Sequence, residues 1–242
     1  MHTRIAPPSL SARLANLDWS ALRQSLWERG HALTPTVLTP AECEALVKLY
    51  DASEHFRSHI IMARYRFGSG DYKYFDYPLP ALVQELREHS YPYLAPLANE
   101  WNQALGSADR FPQEHSRFLA LCRSQGQKRA TPLLLHYETG DFNCLHRDLY
   151  GAVAFPLQMT CFLSAPASDY DGGEFVLVEQ RLHAQSKVEV ILPSQGAMVI
   201  FATQYRPVKG KRGNYRASLR HGVSRVRRGV RFTLGVIYHD AE

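Results

Sequence analysis

The chain has 242 residues, 45% of them hydrophobic and 21% charged, with a formal net charge of +5. That is enough apolar material for one sizeable core and too little net charge for a disordered chain. No apolar run approaches the roughly 20 residues of a membrane helix, residues 1–20 lack the apolar stretch of a secretory signal, and Cys43, Cys122, Cys144 and Cys161 form no C-x-x-C pair.

The expected class is a cytoplasmic globular protein with reduced thiols and no membrane contact. Sequence leaves the oligomeric state open, with a monomer as the default. Charge is unevenly placed. Ten basic residues and no acidic one lie between Arg206 and Arg231, so the remainder is acidic. Such a segment attracts polyanions, although charge alone does not separate that reading from a solvated strand edge.

In chain order, residues 1–117 read as mainly helical. Residues 18–29 carry Trp19, Leu22, Leu26 and Trp27 at helical spacing. Thr39-Pro40-Ala41-Glu42 is a capping box with Pro at the first helical position, and Leu46, Val47 and Tyr50 follow it. Further helices are expected over 80–89 and 94–105. Between the two pairs, residues 62–77 are aromatic, basic and broken by Gly68 and Gly70, which suggests a hairpin or a mobile loop.

From about Thr131 the pattern turns to short strands, expected over 132–138, 158–163, 174–179, 188–192, 197–202, 218–226 and 231–238. Short strands at this spacing suggest a sandwich or jelly roll, an α+β fold with a mainly β core. Phosphate-binding glycine motifs are missing, which leaves nucleotide-cofactor folds without support.

Chemistry enters with His146-Arg147-Asp148. On an extended chain His146 and Asp148 face one way and Arg147 the other. With 11 His, about 0.5 H-x-D triplets arise by chance, so the triplet needs context. His221 in a late strand would complete two imidazoles and one carboxylate, the facial triad of non-haem iron. Ten residues on, alternation places Arg231, Thr233 and Gly235 on one face, where a guanidinium can grip a small carboxylate. Taken singly, His221 also reads as an ordinary core histidine and Arg231 as an exposed strand-end arginine.

Together these residues resemble the iron(II)- and 2-oxoglutarate-dependent dioxygenases of the prolyl-hydroxylase and alkylation-repair type. The matching pieces are Tyr137-x-x-Gly-x-x-Asn-x-x-His146-x-Asp148, Asp171-Gly-Gly-Glu-Phe175, Gln195-Gly-Ala-Met-Val-Ile-Phe201, Ser218-Leu-Arg-His221-Gly-Val223 and Arg231. Asn143 departs from the aromatic or aliphatic residue common at its position. The resemblance implies a double-stranded β-helix over 118–242, with the helical region packed on it as one structural unit. It also implies Fe(II) on His146, Asp148 and His221, with 2-oxoglutarate held by Arg231, Tyr137 and Thr233, and O2 as the second co-substrate.

Tyr72-Lys73-Tyr74-Phe75, the stretch from Asn143 to Gly151 and the arginines of 216–228 are similar to a bacterial family of nucleic-acid-modifying oxygenases. That implies oxidative demethylation of alkylated DNA or RNA, on a single strand or a flipped base. Expected substrate contacts are Tyr72, Lys73, Tyr74, Tyr150, Arg216, Lys209, Lys211 and Arg212. For 62–77, packing on the barrel competes with base stacking. Two other readings stay open: a prolyl-type protein or peptide hydroxylase, and a non-catalytic nucleic-acid-binding protein on an oxygenase scaffold.

Overall fold

The computed structural model describes residues 7–148, 151–182 and 184–242. The chain opens with helices α1 (Leu10–Ala15) and α2 (Trp19–Arg29), strand β1 (His31–Leu33) and helix α3 (Pro40–Lys48). Ser9, Asp18 and Thr39 each accept a backbone N–H at their helix start, as N-cap residues do. The capping box at Thr39 and Glu42 is present, and Arg13 holds the same glutamate at 2.6 Å.

Strands β2 (Phe56–Ile61), β3 (Gly68–Ser69) and β4 (Asp71–Phe75) come next, so the region expected to be helical also supplies strands. The 62–77 segment is built into both sheets. β4 lies between β2 and β5 (Leu133–Tyr137), while β3 pairs with β6 (Phe142–His146). Gly68 makes this crossing possible: its φ is +134°, and a Cβ there would stand 2.3 Å from the Phe142 carbonyl oxygen. On the outer side, Asp71 hydrogen-bonds His136 at 2.9 Å and His59 at 2.5 Å, and Tyr50 donates to it as well. Burial opposes ionisation of Asp71, but these bonds outweigh it and bring its carboxyl down to about 2.

The two helices expected over 80–105 are one, α4 (Ala81–Ala104), which carries Pro92 and Pro96 inside it. Pro96 has no N–H to give the Pro92 carbonyl, and Gln113 Nε2 supplies that bond instead at 2.7 Å. Apolar burial on one side, from Val83 through Leu86, Leu94 and Leu97 to Trp101, holds the helix through both prolines. Helix α5 (His115–Ser124) packs against it.

The remaining strands are β7 (Leu157–Phe162), β8 (Tyr170–Gly172), β9 (Phe175–Gln180), β10 (Lys187–Ile191), β11 (Met198–Ala202), β12 (Tyr205–Gly210), β13 (Gly213–Val223), β14 (Val226–Gly229) and β15 (Arg231–Ile237). The major sheet runs β1-β11-β7-β15-β5-β4-β2 and the minor one β10-β9-β13-β6-β3, with β12 paired to the first half of β13. The fold is the jelly roll that the strand pattern suggests, a double-stranded β-helix as the resemblance implies. Among the described residues, no helix is long and apolar enough to cross a membrane.

Alternation divides the major sheet into two chemistries. Met159, Cys161, Met198, Ile200, Leu234 and Val236 face the helices and form the main core. Their neighbours Gln158, Thr160, Phe201, Arg231 and Thr233 face the space between the sheets.

A fully buried ion pair ties α4 to the end of β15: Arg87 meets Asp240 at 2.8 Å and also bonds the Ile237 and Tyr238 carbonyls and the Tyr77 hydroxyl. Removing one partner strands the other charge. Asp240→Ala is therefore expected to lower the unfolding free energy in urea by about 3–5 kcal/mol. The apolar pair Arg87→Met with Asp240→Leu should recover much of that loss. A single-variant cost near zero would show that the pair is not a structural tie.

Candidate metal centre and its cavity

In the antiparallel pairing of β6 with β13, His146 stands directly opposite His221. Both side chains leave the sheet on its inner face, and their rings lie 4.2 Å apart between centroids. Asp148, just past the end of β6, closes the group at 3.6 Å from His146 Nε2 and 3.3 Å from His221 Nε2. One ligand atom from each residue falls within 4.8 Å of the others, and among the described residues this is the one such His/Cys/Asp/Glu group.

The local electrostatics suit a divalent cation. His146 Nδ1 donates to the Cys144 carbonyl at 2.8 Å, which fixes the tautomer and leaves the Nε2 lone pair facing the centre. Burial, then the neighbouring His221, pushes the His146 pKa down, so its imidazole is neutral at pH 7. Burial works against the Asp148 carboxylate, but the hydrogen bond and charge of His221, with His146 and Gln158, outweigh it and keep it ionised. Phe175 and Phe201 wall the other side of His221.

Across the cavity, Arg231 on β15 pairs in register with Tyr137 on β5. Arg231 is only 1% exposed, and none of its three side-chain nitrogens has a hydrogen-bond partner. The rings of Tyr137, Phe162 and Tyr170 surround its guanidinium at 5.4, 5.4 and 5.8 Å. Gly173 lets it lie there, since a Cβ at that position would stand 2.8 Å from Arg231 Cδ. A buried guanidinium without a carboxylate costs several kcal/mol unless an anion completes it. Tyr137 accepts a hydrogen bond from Asn143 at 3.1 Å, and burial pushes its pKa up to about 12, so its hydroxyl stays protonated.

A cavity of about 240 Å³ joins the His-Asp-His group to Arg231 and Thr233. Tyr72 and Tyr74 also line it, with rings edge-on at 5.4 Å, so both are wall residues of β4 rather than part of an open loop. Lys73 is a correction. Alternation turns it to the opposite face, where Nζ donates to the Tyr50 carbonyl at 2.7 Å and sits over the Tyr50 ring. Gln158 and Thr160 were missed, though two polar positions alternating with Leu157, Met159 and Cys161 are a readable sign of a polar inner face. Tyr150 lies outside the described residues.

The basic segment separates by direction. Arg206 is buried and pairs with Glu179 at 2.5 Å, and Arg228 pairs with Asp171 at 2.7 Å, so neither is an open cation. Lys209, Lys211, Arg212 and Arg216 are exposed on the β12–β13 hairpin, off the cavity wall. The hairpin tip is roughly 30 Å from His221 along β13 at the usual strand rise. Arg147 is not part of the metal group: its guanidinium donates to Ser218 Oγ at 2.6 Å, although the residue also borders the cavity.

Comparison with known proteins adds a family. The model of a family described as "Oxygenase, catalysing oxidative methylation of damaged DNA" matches residues 70–241. Uncharacterized proteins from two strains of Mycobacterium tuberculosis (CDC 1551 / Oshkosh and ATCC 25618 / H37Rv) are 44% identical over 167 residues, 69% of this chain and 72% of each relative. Among solved structures, a Pseudomonas putida prolyl-4-hydroxylase is similar in fold, with a TM-score of 0.53 and 16% identity over 90% of this chain and 96% of that one. A prolyl hydroxylase from Trichoplax adhaerens gives a TM-score of 0.52 and 14% identity over 96% and 92%. At such identities the likeness is one of fold.

The geometry sets two expectations for calorimetry. Mn(II) should bind once per chain, and His146→Ala, Asp148→Ala and His221→Ala should each weaken binding at least tenfold with the thermal transition retained. Unchanged affinity in any of the three would remove that residue from the metal group.

Proposed function

This chain belongs to the oxygenase family just described, and from that premise we propose that it is an iron(II)- and 2-oxoglutarate-dependent dioxygenase that oxidatively demethylates alkylated bases in DNA or RNA. One observation carries the reading: a two-histidine, one-carboxylate group and an orphaned buried guanidinium share a single cavity. The donor set is that of a non-haem iron site with open positions, and the guanidinium matches the far carboxylate of 2-oxoglutarate.

In this reading His146, Asp148 and His221 hold the iron. Arg231 grips the distal carboxylate of the co-substrate bidentately, with Thr233 beside it on the same strand face and the protonated Tyr137 hydroxyl available as a donor. When bound, iron and 2-oxoglutarate supply the oxidising chemistry, and an N-methyl base, O2 and 2-oxoglutarate are converted to the unmethylated base, formaldehyde, succinate and CO2. The protein's own work is placement and exclusion of water. Phe67, Tyr72 and Tyr74 offer aromatic rings in the cavity wall against which an extruded base can pack. The exposed cations of the β12–β13 hairpin add sequence-independent attraction for phosphates.

Peptide hydroxylation draws on the prolyl-hydroxylase-like fold, but fold does not select a substrate. The non-catalytic reading is disfavoured by a metal group whose three members stay within ligand distance of one another.

Two measurements test the proposal. Methylated single-stranded oligonucleotides with Fe(II) and 2-oxoglutarate should release formaldehyde and succinate in equal amounts. Turnover on a proline-containing peptide panel with none on oligonucleotides would replace the proposal with the hydroxylase reading. Arg231→Lys should raise the 2-oxoglutarate requirement at least tenfold, because it keeps the charge but loses the planar fork. An unchanged requirement would mean that another group anchors the co-substrate.

A further inference from the structure

The β12–β13 hairpin presents a face that the cavity does not use. Tyr205 is in register with Ser218 and Pro207 with Arg216, so Tyr205, Ser218 and Arg216 project outward while Leu219 and His221 project inward. Arg147 reaches this face from between the two metal-group residues His146 and Asp148. Its guanidinium carbon lies 5.6 Å from the Tyr205 ring centre, and that of Arg216 lies 5.9 Å from it. Both guanidiniums thus lie at cation–π distance over the half-buried ring. Arg147 Nε has no hydrogen-bond partner, and among the described residues neither arginine pairs with a carboxylate.

Two further features extend the site. A cleft of about 230 Å³ opens beside Tyr205 and Arg216, lined by polar Asn102, Ser107, Asp109 and Gln204. On the same strand face as Tyr205, two steps beyond Pro207, stands exposed Lys209, with Lys211 and Arg212 at the turn. Arg147 also borders the metal cavity, so this one side chain touches both places.

We propose that Tyr205, flanked by Arg147 and Arg216, is a second nucleotide subsite. It stacks a neighbouring base of the same single strand whose modified base enters the metal cavity, and the strand then continues toward Lys209. This rests on the nucleic-acid reading above and adds to it a place and a path. A ring beside two guanidiniums that meet no carboxylate matches alternating base and phosphate, the repeat of a single strand. An acidic peptide offers the charges without a base to stack.

The test compares a methylated mononucleotide with a methylated single-stranded oligonucleotide of about ten bases, by binding to the protein loaded with Mn(II) and 2-oxoglutarate. Tyr205→Ala should weaken oligonucleotide binding roughly 5- to 150-fold, the range for loss of one base–aromatic stack, and leave mononucleotide binding as in wild type. Tyr205→Phe should restore oligonucleotide affinity, which separates a stacking defect from a folding one. Arg147→Gln and Arg216→Gln should each flatten the salt dependence by about 0.7 in log–log slope, one phosphate apiece. Wild-type affinity in Tyr205→Ala overturns the subsite while leaving the functional reading intact, and so does equal loss on the mononucleotide. Polyglutamate displacing the oligonucleotide with equal strength overturns it too, since the face would then read charge alone. Failure of the wild type to bind any oligonucleotide overturns the functional reading, and the subsite with it.

Discussion

Burying one positive charge without a protein counter-ion is the constraint around which the inner half of this fold is arranged. Arg231 cannot shed its proton, so within the chain its cost is offset by aromatic faces, and the proposed co-substrate would bring the missing anion. The rings of Tyr137, Phe162 and Tyr170 come from three different strands, and Gly173 clears the room for the side chain. None of this holds unless β15 lies between β5 and β7 in the observed register. The Arg87–Asp240 tie fixes the far end of the same strand to α4. Stability on the helix side thus maintains chemistry on the cavity side.

The metal group depends on register in the other sheet. A one-residue slip of β6 against β13 would turn His146 and Asp148 outward together and leave His221 without its partners. The glycine-dependent crossing at Gly68 and the Asp71 network act on either side of this point, one pinning β3 to β6 and the other fixing β4 beside β5. Segment 62–77 therefore belongs to the wall of the cavity. Its Phe67, Tyr72 and Tyr74 line that wall, while Phe75 packs in the core.

Much of this was legible in the residues because period-2 alternation is a strong local signal. It located β5, β7, β9, β10, β11 and β15 and placed Arg231, Thr233 and Gly235 on one face. It failed for β6, where exposed Cys144 and Leu145 break the alternation beside a turn, although that strand carries His146. It also failed for β12, whose Pro207 and lysine read as loop. The split of α4 at Pro92 was a sound local inference that tertiary burial overrode. Counting cations along 206–231 could not reveal that Arg206 points inward, because its pairing with Glu179 across strands of one sheet has no signature in sequence. Lys73 shows the reverse: alternation within Tyr72-Lys73-Tyr74 already implied that it faces away from its neighbours.

The central claim is that one cavity holds a metal ion on His146, Asp148 and His221 at one end and a dicarboxylate on Arg231 at the other. A crystal structure of the protein with Mn(II) and 2-oxoglutarate, grown without oxygen, tests it most directly. The account predicts one metal ion in contact with His146, Asp148 and His221, and the distal carboxylate bonded to the Arg231 guanidinium. A metal ion bound elsewhere, or 2-oxoglutarate bound with Arg231 still lacking a carboxylate, would contradict it.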